Sequence, residues 1–248
     1  MGARIAALVR AGSPAPQSHM TSLTTNPILV VDDEQTIRLG FSVALRSAGF
    51  EVEIAADGAD AIDLAMKVAP ECVVIDLRMP GMDGLQTAEE LRARGCAAPI
   101  VLASAFADHA TAVAAIGAGI TDFLTKPVKP SQLRYAVNHA ISRHVRFATA
   151  GYRSHAEIPA GLLRAYAKYC LSQRRRDEAK IALQTHTSES SDLQSLLLLG
   201  ALNELDGNAE RAGELFVRAA EIHAGSIATS SSTALFKVFS HSEHHVPD

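Results

Sequence analysis

Three apolar runs in the 248-residue sequence each stop on an ionisable side chain. Cys72-Val73-Val74-Ile75 runs into Asp76, Ile28-Leu29-Val30-Val31 into the pair Asp32-Asp33, and Phe123-Leu124-Thr125 into Lys126-Pro127. A fourth run, Pro99 to Ala103, is followed by Ser104. Runs of this kind suit strands buried on both faces, and parallel strands of one sheet present their last residues along a single edge. On neighbouring parallel strands, three carboxylates, a hydroxyl and an ammonium would converge there. Two carboxylates about 4 Å apart repel by roughly 4 kcal/mol at an effective dielectric near 20, so three of them ask for a cation. Oxygen ligands without imidazole or thiolate select a hard ion, and Mg²⁺ is the abundant choice. A metal beside an ammonium can neutralise phosphoryl oxygens, in hydrolysis or in phosphoryl transfer. A carboxylate can also be the nucleophile and become an aspartyl phosphate; Asp76, at the end of the central run, is the natural candidate. Ser104 and Lys126 would each pair with a phosphoryl oxygen. Taken singly, an acidic pair after a strand is a helix cap and a solvated turn, and a lysine is a surface charge. Their joint placement on successive strand ends is what points to a site.

The segments that must position these groups alternate between strand-like and helix-like from Pro27 to about Arg146. Gln35 to Ala48 carries Ile37, Phe41, Ala44, Leu45 and Ala48 at helical spacing, with Gly49 as its stop. Val52 to Ala55 is a less apolar strand that belongs at a sheet edge. Ala59 to Val68 is the next helix, closed by Pro70. Leu85, Ala88 and Leu91 mark a third helix face. Asp108 caps a fourth helix through Gly117, and Pro130 or Ser131 opens a last one with Leu133, Val137, Ile141 and Val145 in phase. Short loops between parallel strands require helical crossovers, and five βα units of this kind predict a doubly wound five-stranded parallel sheet.

The ordered text Ile28-Leu29-Val30-Val31-Asp32-Asp33-Glu34, then Asp76-Leu77-Arg78-Met79-Pro80-Gly81-Met82-Asp83-Gly84, then Ser104, then Asp122-Phe123-Leu124-Thr125-Lys126-Pro127 resembles the receiver domain of bacterial two-component response regulators. The resemblance covers about Pro27 to Arg146 and implies a flavodoxin-like sheet of strand order 2-1-3-4-5. It implies that Asp76 accepts a phosphoryl group from a cognate histidine kinase or phosphotransfer protein. It also implies Mg²⁺ ligation by Asp32 or Asp33, Asp76 and the backbone carbonyl of Arg78, with Asp33 coordinating directly and Asp32 often through water. Ser104 matches the switch hydroxyl, Phe123 the aromatic residue that turns inward when that hydroxyl moves, and Lys126 the lysine whose following peptide bond, here to Pro127, is often cis. Arg78 and Phe106 flank the pocket where members of the family tune dephosphorylation. The surface of the fourth helix, fifth strand and fifth helix then responds to the phosphoryl group, and a homodimer through that surface is a further partner the pattern allows.

The second half departs from the commonest response-regulator outputs, because it carries no evident DNA-binding helix-turn-helix, ATPase or enzyme signature. Residues 147–158 read as a linker and 159–226 as an all-helical, tetratricopeptide-like (TPR-like) pair of hairpins. Leu196 to Gly200, Gly207, Ala212, Phe216 and Ala219 fall at the offsets of one unit. Leu163, Tyr166-Ala167, Cys170, Ala179 and Leu183 fall at those of a second, degenerate one. Two units are fewer than a free-standing solenoid needs, so they are expected to pack on the first half, on a partner or on a copy of themselves. Residues 227–248 read as a capping helix around Leu235, Phe236 and Phe239 with a flexible tail, in which His241, His244 and His245 are tail residues. Residues 1–26 read as a flexible leader, too short and too weakly apolar for a signal peptide.

Composition limits the remaining classes. With 48% apolar and 20% charged residues the chain is a folding sequence, and its net charge of -4 gives no global sign of nucleic-acid binding. The one local case for nucleic acid is Arg174-Arg175-Arg176 with Arg143, Arg146 and Arg153 upstream, without aromatic stacking residues nearby. Cysteines at 72, 96 and 170 have neither even count nor metal-ligand spacing and fit a reducing cytosol. No apolar run approaches the roughly 18 residues of a membrane span. The leading expectation is a cytoplasmic, non-enzymatic phosphoacceptor regulator whose helical region signals to a downstream protein. The alternative is a transcription regulator whose C-terminal region binds DNA through an atypical fold. A metal-dependent phosphatase would in addition have to turn over an external substrate.

Overall fold

The computed structural model describes residues 26–105, 108–152, 154–190 and 192–224. The expected leader (save Asn26), the C-terminal cap with its histidines, Phe106 and Arg153 lie outside the described residues. Strands β1 (Ile28–Val31), β2 (Val52–Ala55), β3 (Cys72–Asp76), β4 (Ile100–Ser104) and β5 (Asp122–Thr125) alternate with helices α1 (Gln35–Arg46), α2 (Gly58–Val68), α3 (Gly84–Ala93), α4 (His109–Gly117) and α5 (Pro130–Thr149). The sheet order is β2-β1-β3-β4-β5 and every pairing is parallel, which is the predicted doubly wound sheet. The two-residue period sorts each strand's side chains to opposite faces. Leu29, Val31, Val73, Ile75, Ile100, Leu102 and Phe123 join α2, α3 and α4 in one core layer. Ile28, Val30, Cys72, Val74, Val101, Ala103 and Leu124 join α1 and α5 in the other. β2 exposes Glu53 and Ile54, as an edge strand does.

Local chemistry sets the helix starts. Asp57, Asp83 and Asp108 each accept a backbone N–H of the helix they precede, and Asp83 forms a reciprocal capping box with Gln86. α5 continues to Thr149, three residues past Arg146, because Phe147 finds a buried place against Tyr166 and Tyr169. Ile158, at the far end of the expected linker, is also buried in the first core layer. The segment is thus anchored at both ends.

The second half is a four-helix bundle of two hairpins, α6 (Leu163–Ser172) with α7 (Arg176–Glu189), and α8 (Leu193–Leu205) with α9 (Ala209–Ala224). Leu163, Tyr166, Ala167, Cys170, Ala179 and Leu183 are buried, as are Leu196 to Leu199. A Cβ on Gly200 would stand 2.6 Å from the Phe216 ring, so glycine is what lets α8 and α9 cross at that distance. Asp192 caps α8 through Ser195 and accepts Arg164 of α6 at 2.8 Å, and Lys180 of α7 meets Asp206 at 2.6 Å. The bundle is not a separate body. It packs α8 on α4 and α6 on α5, and its apolar core is continuous with the first layer of the sheet. Among the described residues no helix is long and apolar enough to cross a membrane.

Candidate functional site

The register places the candidate groups along one edge. Val31 pairs with Ile75, so Asp32, one residue on, lies beside Asp76; Asp76 pairs with Ala103, and Ser104 with Thr125. Lys126 follows immediately, and its peptide bond to Pro127 is cis. Its ammonium bridges two strands' carboxylates, donating to Asp32 Oδ2 at 2.9 Å and meeting Asp76 Oδ1 at 2.5 Å. The remaining oxygens accept main-chain donors: Asp32 Oδ1 from the Glu34 N–H at 2.9 Å, and Asp76 Oδ2 from the Arg78 N–H at 2.7 Å.

Asp32, Asp76 and Ser104 are buried, whereas Asp33 is exposed at the rim. Phe123 is buried with its ring in the core layer beneath α4. Two further groups hold the cluster in place. Arg38 donates to the backbone carbonyls of Asp32 and Asp33 at 2.6 and 3.0 Å, tying the acidic loop to α1. Gly84 opens α3 so close to the Asp76 carbonyl that a Cβ there would overlap it. Arg38 was not singled out in the sequence, and Gly84 stood there only as the last residue of the quoted Asp76-to-Gly84 stretch, without this role. Arg38 had only its place on the second turn of the first helix to mark it, and Gly84 its Asp-Gly turn.

Burial and charge oppose each other at Asp76 and at Lys126. Burial dominates at Asp76 and raises its carboxyl pKa above the usual range, with the Asp32 charge adding to it against the opposing Lys126 and Arg78 contacts. Burial pulls the other way at Lys126, but its hydrogen bonds to Asp76 and Asp32 outweigh it and hold the ammonium's pKa above normal. A buried carboxylate is thus pinned by a lysine, with the Asp32 carboxylate beside it and Asp33 exposed at the rim. Among the described residues no three His, Cys, Asp or Glu side chains gather closely enough to hold a metal ion. Mg²⁺, however, is usually held by one or two carboxylates and keeps several waters, so the all-oxygen set at this edge fits its chemistry.

Residues 28–138 match the response regulator receiver domain model. That stretch of the chain is a receiver domain. The chain is 37% identical over 116 residues to the regulatory protein AtoC of Escherichia coli (strain K12), covering 47% of this chain and 25% of that protein. It is 39% identical over 106 residues to the response regulator MprA of Mycobacterium sp. (strain KMS), covering 43% of this chain and 46% of that one. The matched receiver thus spans a quarter to about half of the length of these curated relatives. Among solved structures, the chemotaxis protein CheY4 of Vibrio cholerae is 29% identical and covers 47% of this chain and 99% of its own, with a TM-score of 0.46. Receiver domains are phosphoacceptor regulators rather than turnover enzymes, and they use Mg²⁺ in that chemistry.

The arginine run of the second half is largely committed within the fold. Arg175 pairs with Glu178 and reaches the Tyr166 hydroxyl, and Arg176 donates to the Gly117 carbonyl at 3.0 Å. Arg143, read as part of the same basic group, is buried in α5 and donates to the Thr121 carbonyl at 3.0 Å.

Proposed function

We propose that the protein is a phosphorylation-dependent response regulator that accepts a phosphoryl group on Asp76 and signals through protein binding by its helical bundle. The observation that carries this reading is the Lys126 ammonium bridging Asp32 and Asp76 at the C-terminal edge of the sheet. An Asp76 oxygen attacks the phosphorus of a phosphohistidine on the kinase or phosphotransfer partner. The P–N bond breaks, the imidazole nitrogen keeps the electron pair and takes up a proton, and an acyl phosphate forms on Asp76. Asp33, Asp32, Asp76 and the Arg78 carbonyl are the groups that would hold Mg²⁺, which when bound neutralises phosphoryl charge. Lys126 pairs with a phosphoryl oxygen in the product, and the Ser104 hydroxyl donates to another. The added charge of about -1.5 to -2 draws both toward it. Room left by Ser104 lets Phe123 turn, and α4, joined to Ser104 by only residues 105–108, shifts with it.

We read α6–α9 as two TPR-like hairpins; the small residue at the α8–α9 crossing and the matching buried positions in α6 and α7 support this. A homodimer through α4, β5 and α5 belongs to the same reading, and it requires α8 to leave α4 first. DNA binding stays the secondary reading, suggested by relatives named transcriptional regulatory proteins. The commitment of Arg143, Arg175 and Arg176 inside the fold weighs against it. Radiolabelled acetyl phosphate with Mg²⁺ tests the proposal: label enters the intact chain, and Asp76→Asn abolishes it. Equal labelling of that variant overturns the assignment.

A further inference from the structure

Between Asp108 and Asp122 the chain carries no Asp, Glu, Lys or Arg, and the same holds from Leu193 to Asn203. These two charge-free stretches are α4 and most of α8, and they lie against each other. A helix on the surface of a sheet normally keeps a polar face toward water. Here Ala110 is the single exposed residue from His109 to Ile120, and α8 is buried continuously from Ser195 to Asn203. Each helix therefore has two covered sides: α4 lies between the sheet and α8, and α8 lies between its own bundle and α4. Both ends of the contact are marked by polar pairs. At the N-terminus of α4, His109 Nε2 sits 2.9 Å from Glu204 Oε2 and its ring meets Phe216 edge-on. At the C-terminus, Arg176, the first residue of the adjoining α7, donates to the Gly117 carbonyl, and a Cβ on Gly117 would stand 3.4 Å from Leu205 of α8.

We propose that the α8 face now covered by α4 is the protein's output docking surface, with α4 as its built-in occupant. The partner that fits it offers what α4 offers: a short uncharged helix of small apolar side chains, with an imidazole or amine at its N-terminal end for Glu204 and an open C-terminal carbonyl for Arg176. A helix with bulky or acidic side chains along that stripe does not fit. This deepens the proposed function and rests on it for the trigger. A phosphoryl group on Asp76 that shifts α4 uncovers α8, and an exposed charge-free face of this kind recruits a partner. By linkage, a partner that occupies α8 favours the phosphorylated receiver by the same factor. While α4 is in place, partner affinity is lowered by the small fraction of molecules in which the face is open.

The probe is a fluorescent peptide of residues 108–121 of this chain, titrated into the full-length protein and followed by anisotropy. Three samples are compared: the resting protein, the protein with Mg²⁺ and beryllofluoride as an acyl-phosphate mimic, and the variant His109→Asp, whose new carboxylate repels Glu204 and opens the contact without any phosphoryl chemistry. His109 is partly exposed and outside the Asp76 cluster, so the variant keeps the fold. Binding at least about tenfold tighter than to the resting protein is expected in both opened samples. Adding Glu204→Lys to His109→Asp re-forms the pair with its charges exchanged and returns binding to the resting level. Equal binding by His109→Asp and the resting protein overturns the docking surface, as does binding that ignores Glu204→Lys. A beryllofluoride complex on Asp76, seen by fluorine NMR, that leaves probe binding unchanged sinks the coupling while keeping the phosphoacceptor. No such complex sinks the phosphoacceptor reading instead, and the His109→Asp sample then decides the α8 face by itself.

Discussion

Replacing Lys126 by Met removes the ammonium that bridges Asp32 and Asp76, and the size of the loss follows from the geometry. At 2.9 and 2.5 Å, and with an effective dielectric near 20, the two attractions amount to about 6 kcal/mol each before solvation is counted. Taking the charges out of water cancels most of that. What is left when one member of a buried pair is removed is about 3 to 5 kcal/mol, and the partial exposure of Lys126, 19% of its side chain, puts the expectation at the lower end. The variant therefore loses about 3 kcal/mol of unfolding free energy at pH 7.5, read from urea titrations. The pH dependence has a definite sign. Burial already raises the Asp76 pKa in the folded state, and loss of the ammonium raises it further. A carboxyl with a raised folded pKa contributes stability that is present at low pH and lost as pH rises through that pKa. The deficit against wild type should accordingly shrink as pH falls through the carboxylate range, and added Mg²⁺ should restore part of it at pH 7.5. A deficit below about 1 kcal/mol, or one that persists unchanged into acid, would refute the idea that Lys126 neutralises this pair.

Asp76→Asn should raise Tm by about 2–4 °C at pH 7.5, because it removes a carboxylate that burial disfavours; scans taken at falling pH should see the advantage vanish below the usual carboxyl value of 3.8. Lys168, on α6, has its ammonium pushed down to about 7 by burial, with Asp122, Arg143, Arg164 and Asp192 as its charged surroundings. Between about pH 7 and 10.5 the unfolded chain binds a proton there that the folded chain does not, so wild-type stability climbs with pH over that window. Lys168→Met should flatten the climb, and an unchanged slope in chemical denaturation would show that another group causes it. Gly200→Ala drives a methyl group into Phe216 and should cost about 1–3 kcal/mol. Adding Phe216→Leu should return part of that loss, and two costs that simply add would exclude the contact as the cause.

The α/β half was legible because its signals are local and mutually consistent. Runs of three to five residues ended on Asp32, Asp76, Ser104 and Lys126, and parallel pairing then admits one edge for all of them. The cap at Asp108 and the edge position of β2 followed in the same way, whereas the cis bond before Pro127 was what the family resemblance implied. The union of the two halves was one of three alternatives the short repeat allowed, and the charged side chains that lie buried in the fold were not read in advance. Arg92, Arg143 and Lys168 look like solvated helix charges in the sequence, yet all three are buried. Arg92 donates to the carbonyls of Cys96, Ala98 and Gly119 in the receiver, and Arg143 to that of Thr121. Side-chain periodicity carries no information about such long-range acceptors, since it reports only which face is covered. A signal did exist for α4: its outer face lacks a single charge, which is unusual for a helix that expects water and explicable once α8 covers it. Phe147 and Ile158 were likewise apolar residues in a stretch otherwise composed like a linker, and both became anchors for the bundle.

The account stands or falls with the acceptor oxygen on β3. The full-length protein, incubated with a small acyl phosphate and Mg²⁺ at pH 7.5 and digested with protease, should give a single phosphorylated peptide. Tandem mass spectrometry should place the modification on Asp76, hydroxylamine should release it, and a chelator should prevent its formation. A phosphoryl group on Asp32, Asp33 or a hydroxyl side chain, or a chain that stays unmodified under those conditions, would contradict the account.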